Sequence, residues 1–250
     1  MRAFPQLRDF LFRLRYGFRG VPFQIGDRII RLDESLRRRN IAGESQVQRI
    51  LIENLKTGDE MLDVGANYGL HSILGGGLVG PGGKIHAFEP LPSSLKRLRH
   101  HIELNHLQKV VHVVPAAVSD SKSKQVTFFS GAEEDGVTAS LTRSGGNNRQ
   151  VTVANVTLDD YGKQIRGPVR LVKIDVEGAQ VRVLRGGREF LLANRPLLVV
   201  EVHEFAFSDF GTSLQEFKEL LQGMGYDEKV LLGTVLRCGQ HYQAVCRPVA

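Results

Sequence analysis

The stretch Met61-Leu62-Asp63-Val64-Gly65-Ala66-Asn67-Tyr68-Gly69 decides the fold. An apolar strand runs into a turn of small residues and then into a helix. Gly65 lets the backbone approach a ligand closely, and Gly69 lets the helix start near the strand. Asn67 stands where a tight turn needs a positive φ, which Asn tolerates better than most residues. Ligands of open α/β sheets lie outside the carboxyl ends of the strands, where this turn falls. The pattern is Asp-x-Gly-x-x-x-Gly, not Gly-x-Gly-x-x-Gly. A carboxylate two residues before the first glycine is a poor neighbour for a pyrophosphate and a good one for the ammonium of an amino-acid moiety. That favours a sulfonium cofactor over a nicotinamide dinucleotide.

Downstream the rhythm is strand, helix, strand. Strands are expected at 60–64, 84–88, 110–115, 169–175 and 196–203, with a terminal pair near 229–236 and 242–246. Helices are expected at 69–78, 93–105, from 179 through 185 onward, and at 213–224. A β-rich insert (126–130 and 149–156) is joined by the plain loop Gly145-Gly146-Asn147-Asn148. Apolar strands alternating with helices argue for a mostly parallel sheet covered on both faces. The second strand ends in Ile85-His86-Ala87-Phe88-Glu89-Pro90, with Glu89 lying 26 residues after Asp63. An acid there can accept both ribose hydroxyls of an adenosine; it can also be a helix N-terminal acid favoured by the macrodipole. Ser119 and Asp120, in Ala116-Ala117-Val118-Ser119-Asp120, can reach the adenine or form a polar turn, and both readings stand.

Upstream, 44–55 has helical spacing and 23–32 reads as a short hairpin or strand. Within 1–20, Phe4, Leu7, Leu11, Leu14 and Phe18 form one helical stripe, with Arg2, Arg8, Arg13, Arg15 and Arg19 around it. The net charge of +6 comes entirely from residues 1–40, because ten Arg there face four acids while the remaining basic and acidic residues balance. The neutral body argues against nucleic acid as a partner. The chain therefore divides into a basic amphipathic extension, 1–43, and an α/β domain, 44–250. The stripe can pack on the domain, lie on an anionic membrane surface as a peripheral contact, or grip an acidic acceptor.

The 250 residues suit one domain with an appendage, and the apolar runs fall short of the roughly 18 residues that span a bilayer. Arg interrupts each apolar run near the start, so no secretory leader is expected. Two cysteines, Cys238 and Cys246, supply neither a disulfide framework nor a zinc set, and a cytoplasmic setting is the default.

The motifs DVGANYG, HAFEP and PAAVSD, and above all LVKIDVEGAQVRVLRGG at 171–187, resemble the FkbM-type S-adenosylmethionine-dependent methyltransferases over about residues 44–205. The resemblance implies a Rossmann-like fold with a seven-stranded sheet whose last strand is antiparallel. It also implies S-adenosyl-L-methionine as cofactor and O-methylation of a sugar, glycan or natural-product hydroxyl. Carried over on that resemblance, Asp63, Gly65, Asn67, Gly69 and Glu89 become cofactor residues, and Ala66, Ser119 and Asp120 stand beside them as candidates from their place in the turns. The first helix departs from expectation with Gly75-Gly76-Gly77, each costing on the order of 1 kcal/mol relative to Ala. Its length and rigidity are the open point.

The acids follow the fourth and fifth strands. Asp175 and Glu177 point the same way where the strand persists that far, and Glu201 and His203 share a face. Methyl transfer to a hydroxyl is an in-line displacement that must also remove a proton. His203 is the candidate base, and Asp175 and Glu177 can orient substrate or sulfonium. A divalent ion held by Asp175, Glu177, Glu201 and His203 is an alternative that is not favoured, and no metal ligands are assigned. The Asn/Asp-Pro-Pro-aromatic signature of amino-group methylation is absent, with Asp-Val-Glu-Gly in its place. A NAD-type oxidoreductase and a non-catalytic nucleotide-binding module on the same fold are the competing readings.

Overall fold

The structure is a computed structural model that describes residues 16, 19–34, 36, 45–130, 149–231 and 240–249. The stripe from Phe4 to Phe18, the 145–148 loop, residues 232–236 of the expected strand and Cys238 lie outside the described residues.

A hairpin comes first, β1 (Val21–Ile25) and β2 (Arg28–Leu32), then α1 (Ser45–Asn54), β3 (Glu60–Val64), α2 (Leu70–Val79), β4 (Lys84–Phe88), α3 (Pro92–Leu104), β5 (Val111–Val114) and β6 (Ala116–Val118). The insert supplies β7 (Gln125–Ser130) and β8 (Arg149–Val156). There follow α4 (Leu158–Gly162), β9 (Val169–Ile174), α5 (Gln180–Gly186), α6 (Arg188–Asn194), β10 (Leu197–His203), α7 (Glu204–Phe207), α8 (Leu214–Gly223), β11 (Tyr226–Val230) and β12 (His241–Pro248).

Seven strands form the main sheet in the order β11-β12-β10-β9-β3-β4-β5. The pairs from β10 through β5 are parallel, while β12 runs antiparallel to both β10 and β11. The strand order reverses between β3 and β9, so the switch point of the sheet falls beside the glycine turn. The insert makes a separate three-stranded sheet, β6-β8-β7.

Residue parity divides the core between the two faces of the sheet. Met61, Ile85, Leu171, Leu197 and Val199 pack on one face with Leu51, Ile73, Leu74 and Leu98 from α1, α2 and α3. Leu62, Phe88, Val172, Ile174, Leu198 and Val200 pack on the other with Tyr161, Leu184, Phe190, Phe217 and Leu221. Helix starts are set locally. Thr157 caps α4 by accepting Asp160 N at 3.1 Å, and Ser213 caps α8 by accepting Glu216 N at 3.2 Å.

Three expectations change. The glycine run does not shorten its helix, since Gly75, Gly76 and Gly77 all lie within α2. A Cβ on Gly75 would stand 3.1 Å from Met61 Sδ, and one on Gly76 would stand 3.0 Å from Val111 Cγ2. The lost propensity is the condition for laying this helix close on β3, β4 and β5. The domain boundary at residue 43 also moves. Ile25, Ile30, Leu32 and Leu36 are buried in the same cluster as Leu51 and Leu98. The Asn105 side chain both accepts Arg31 N (2.8 Å) and donates to Arg31 O (2.7 Å), so the hairpin is clamped to the end of α3. The hairpin therefore belongs to the core of the domain. Finally, β11 begins at Tyr226 and not at 229, because buried Tyr226 anchors the start of the strand. Among the described residues no helix is long and apolar enough to cross a membrane.

Candidate functional site

The turn after β3 is tied to both neighbouring strands. Gly65 N and Ala66 N donate to Phe88 O at 3.0 and 2.9 Å, and Asp175 N donates to Val64 O at 3.0 Å. Gly65 and Asn67 take positive φ, 80° and 50°, as the turn chemistry demands. The structure shows why Gly65 admits no substitute. An added Cβ would lie 1.8 Å from the carbonyl oxygen of Asp175. Its close approach is to the end of β9, whereas the sequence reading gave it to a ligand. A Cβ on Gly69 would lie 2.5 Å from Leu98 Cδ1, so this glycine seats α2 against α3.

Asp63 is fully buried. Its Oδ2 accepts the Ser72 hydroxyl at 2.6 Å, and its Oδ1 lies 3.2 Å from Lys173 Nζ. The carboxylate thus holds the start of α2 and a buried lysine. Lys173 Nζ also donates to Gly65 O at 3.1 Å and lies 3.6 Å from Asp175 Oδ2. Register explains the pairing, since Asp63 and Lys173 are direct cross-strand partners. A lone lysine inside the apolar run Leu171-Val172-Lys173-Ile174 was the available signal for it, because a buried cation requires a partner.

Glu89 sits at the tip of β4, buried, where Oε2 accepts Asn67 N (2.9 Å) and Oε1 accepts Leu91 N (2.8 Å). Burial pushes its pKa up to about 7, against the pull of those two backbone donors. A carboxylate held by the cofactor turn itself, with further lone pairs to offer, fits a ribose diol. Glu89→Ala is expected to weaken S-adenosylmethionine binding by about 1–3 kcal/mol, since ribose hydroxyls lose their acceptor. Ribose hydroxyls are accepted best by the ionised form, so wild-type affinity should rise as pH passes through about 7. The raised pKa has the opposite sign for the free protein. The folded state holds this proton more tightly, so its contribution to stability falls as pH rises from about 4.5 to about 7. Titration calorimetry at several pH values reads both the variant and the profile. Unchanged affinity in the variant removes Glu89 from the site.

Ser119 and Asp120 are engaged elsewhere. The Ser119 hydroxyl donates to Asn155 Oδ1 at 2.8 Å and accepts Ser121 N at 3.1 Å. Asp120 lies 3.4 Å from Arg185 Nη1. Both secure the insert and α5.

The acids and histidines gather where β9, β10 and β12 end or begin. The expected shared direction of Asp175 and Glu177 does not come from the strand, because β9 ends at Ile174 and Glu177 takes a φ of 46°. A non-glycine residue there stores about 1–3 kcal/mol of strain, which is typical of a functional loop. The loop still brings ligand-type atoms of Asp175, Glu177 and His203 within 4.8 Å of one another. Glu201, His203 and His241 form a second such set, also within 4.8 Å. His241 was missed in the sequence. It faces His203 across the β10–β12 ladder, their rings stacked at 4.5 Å. Burial raises the Glu201 pKa, and the nearby Asp175 carboxylate raises it further. His203 does not fit a metal ligand. Its Nδ1 is 2.9 Å from Gln180 Nε2, a donor, whereas a ligating histidine donates its second N–H outward.

Residues 63–228 match the family model described as methyltransferase FkbM domain. The hexuronic acid methyltransferase AglP of Haloferax volcanii is 27% identical over 173 residues, spanning 69% of this chain and 67% of that protein. The 31-O-demethyl-FK506 methyltransferase FkbM of Streptomyces tacrolimicus is 32% identical over 200 residues, spanning 69% of this chain and 74% of that one. Among solved structures, a putative methyltransferase from Streptococcus mutans, crystallised with SAH, shares the fold at a TM-score of 0.51 and 12% identity, over 82% of this chain and 96% of that one. The oxidoreductase and non-catalytic readings fall away: the chain belongs to the FkbM methyltransferase family and is an S-adenosylmethionine-dependent methyltransferase.

Proposed function

We propose that this enzyme methylates a hydroxyl group of a sugar, glycan or natural product. One observation carries the reading. Asp175 joins the cofactor turn to the polar cluster, since its carbonyl packs against Gly65 while its carboxylate stands with Glu177 and His203. An acceptor held by that cluster lies next to the turn that holds the cofactor. When bound, the cofactor supplies a methyl group on a sulfonium, open to in-line attack.

The cluster's charge favours an alcohol. Asp175, Glu177 and Glu201 make the edge acidic, which attracts hydroxyl donors and repels a carboxylate acceptor. A hydroxyl must lose its proton during transfer, and histidine with carboxylate supplies that help. The relative named for 31-O-demethyl-FK506 supports an oxygen acceptor, and the one named for a hexuronic acid acts on a sugar that offers hydroxyls beside its carboxylate. The test is incubation of the full chain with S-adenosylmethionine labelled in its methyl group and a panel of methyl hexosides, methyl hexuronosides and macrolide alcohols. Labelled methyl ethers are expected. Label found only as methyl esters or on nitrogen would sink the hydroxyl reading.

A further inference from the structure

His203 and His241 face each other over the carboxyl edge of the sheet, and their hydrogen bonds place their protons on different sides of the chemistry. Gln180 Nε2 lies 2.6 Å from Glu201 O and 2.9 Å from His203 Nδ1. A backbone carbonyl only accepts, so the amide presents its NH2 here, and the second proton goes to His203 Nδ1. Neutral His203 therefore carries its own proton on Nε2. That nitrogen lies 3.7 Å from Glu177 Oε2 and 3.8 Å from Glu201 Oε1. In this tautomer His203 offers a donor and no lone pair to the acidic cluster.

His241 is the complement. Its Nε2 lies 2.6 Å from Glu201 Oε1. The carboxylate accepts, so the proton sits on Nε2 and the lone pair sits on Nδ1. The ring is partly exposed, while His203 is nearly enclosed. A carboxylate on one imidazole nitrogen sets the tautomer and stabilises the cation formed when the other nitrogen takes a proton. The stacking then matters. Two charged imidazoles at 4.5 Å would repel, and Gln180 prevents this by opposing a proton on Nδ1 of His203. Among the described residues, the charges near the pair include Asp175 and Glu177 from the loop after β9, Glu201 from β10 and Glu204 next to His203, with Lys173 of β9 3.6 Å from Asp175.

We propose that His241, oriented by Glu201, is the general base of the methyl transfer, and that His203, fixed by Gln180, is the hydrogen-bond donor that positions the acceptor. In the step, the oxygen–carbon bond forms as the carbon–sulfur bond breaks, and the hydroxyl proton moves to His241 Nδ1. The acceptor leaves as a neutral ether, and the new imidazolium is balanced by Glu201. This assignment rests on the hydroxyl reading above.

Two measurements test it. The first needs no acceptor: nitrogen NMR of the histidine-labelled full chain, with the two rings assigned through His203→Gln and His241→Gln. Both neutral rings are expected as the Nε2–H tautomer, and Gln180→Leu should release His203 into a mixture while leaving His241 unchanged. A proton on Nδ1 of neutral His241 overturns the assignment. The second measurement is turnover on a hydroxyl acceptor from the panel. His241→Gln should lose about 10²–10⁴ in kcat with cofactor affinity retained, and His203→Gln, which keeps a donor, should lose no more than about tenfold. Full kcat in His241→Gln overturns the base while leaving the hydroxyl reading intact. A wild type that methylates no hydroxyl overturns both. Turnover abolished by EDTA and restored by Mg²⁺ would give the cluster to a metal ion instead.

Discussion

Gly65→Ala is expected to cost the protein about 2–5 kcal/mol of stability and to abolish cofactor binding. Two effects add. The residue sits at φ +80°, where a side chain costs roughly 1–2 kcal/mol. The new Cβ would also meet the carbonyl oxygen of Asp175 at 1.8 Å, and overpacking of this kind costs about 1–3 kcal/mol. The obstacle is backbone, which cannot rotate away as a side chain tip can. Either the β3 turn or the start of the β9 loop must move, and that loop carries Asp175 and Glu177. Against a total stability of about 5–15 kcal/mol the loss is large, on the order of 10 °C in melting temperature. Gly58→Ala separates the two effects, because Gly58 has φ +92° but nothing within 4 Å of its Cβ position. It should cost only the strain, about 1–2 kcal/mol. Equal melting temperatures for the two variants would show that the Asp175 contact does not constrain the turn.

Lys173→Met should destabilise by about 3–5 kcal/mol, because it leaves Asp63 as a buried charge whose cationic partner is gone. Ser72 remains as a donor, but a hydroxyl does not neutralise a carboxylate. In the wild type burial, with Lys173 beside it, holds the His71 pKa down to about 4, and burial still opposes charging of His71 when the lysine is gone. The double variant Asp63→Asn/Lys173→Met removes both charges and should recover most of the loss. A melting temperature for the double variant no higher than for Lys173→Met would mean that the lysine acts through packing, not charge. Methyl transfer should suffer with stability here, because the same ammonium ties Asp63, Gly65 and Asp175 into one unit.

The roles of the site residues were legible to different depths. The turn after β3 could be read because its constraint is local: Asn67 takes the positive φ that the spacing demands. The identity of what Gly65 approaches was not legible, because Asp175 is 110 residues away in the chain. Asp63 shows the same limit. Its residue type suggested a ligand contact, yet full burial assigns it to Lys173 and Ser72. His203 was conspicuous as a histidine at the end of an apolar strand, but its tautomer depends on Gln180, at the start of α5 and 23 residues earlier in the chain. His241 left no local trace, since nothing near it in sequence is unusual.

By itself the sequence determined the alternation of strands and helices, the parallel sheet and the glycine turn after β3, because those follow from hydrophobic period and from backbone dihedrals that only certain residues tolerate. It also determined the family, through the ordered motifs from DVGANYG to LVKIDVEGAQVRVLRGG. The tertiary structure decided which polar groups meet. Because β12 runs antiparallel to β10, it begins at the edge where β10 ends, and its first residue, His241, arrives opposite His203 and beside Glu201. Strand direction and register are set by burial of Tyr242, Ala244 and Cys246 on one face and Val245 on the other, and they carry His241 to the site as a consequence.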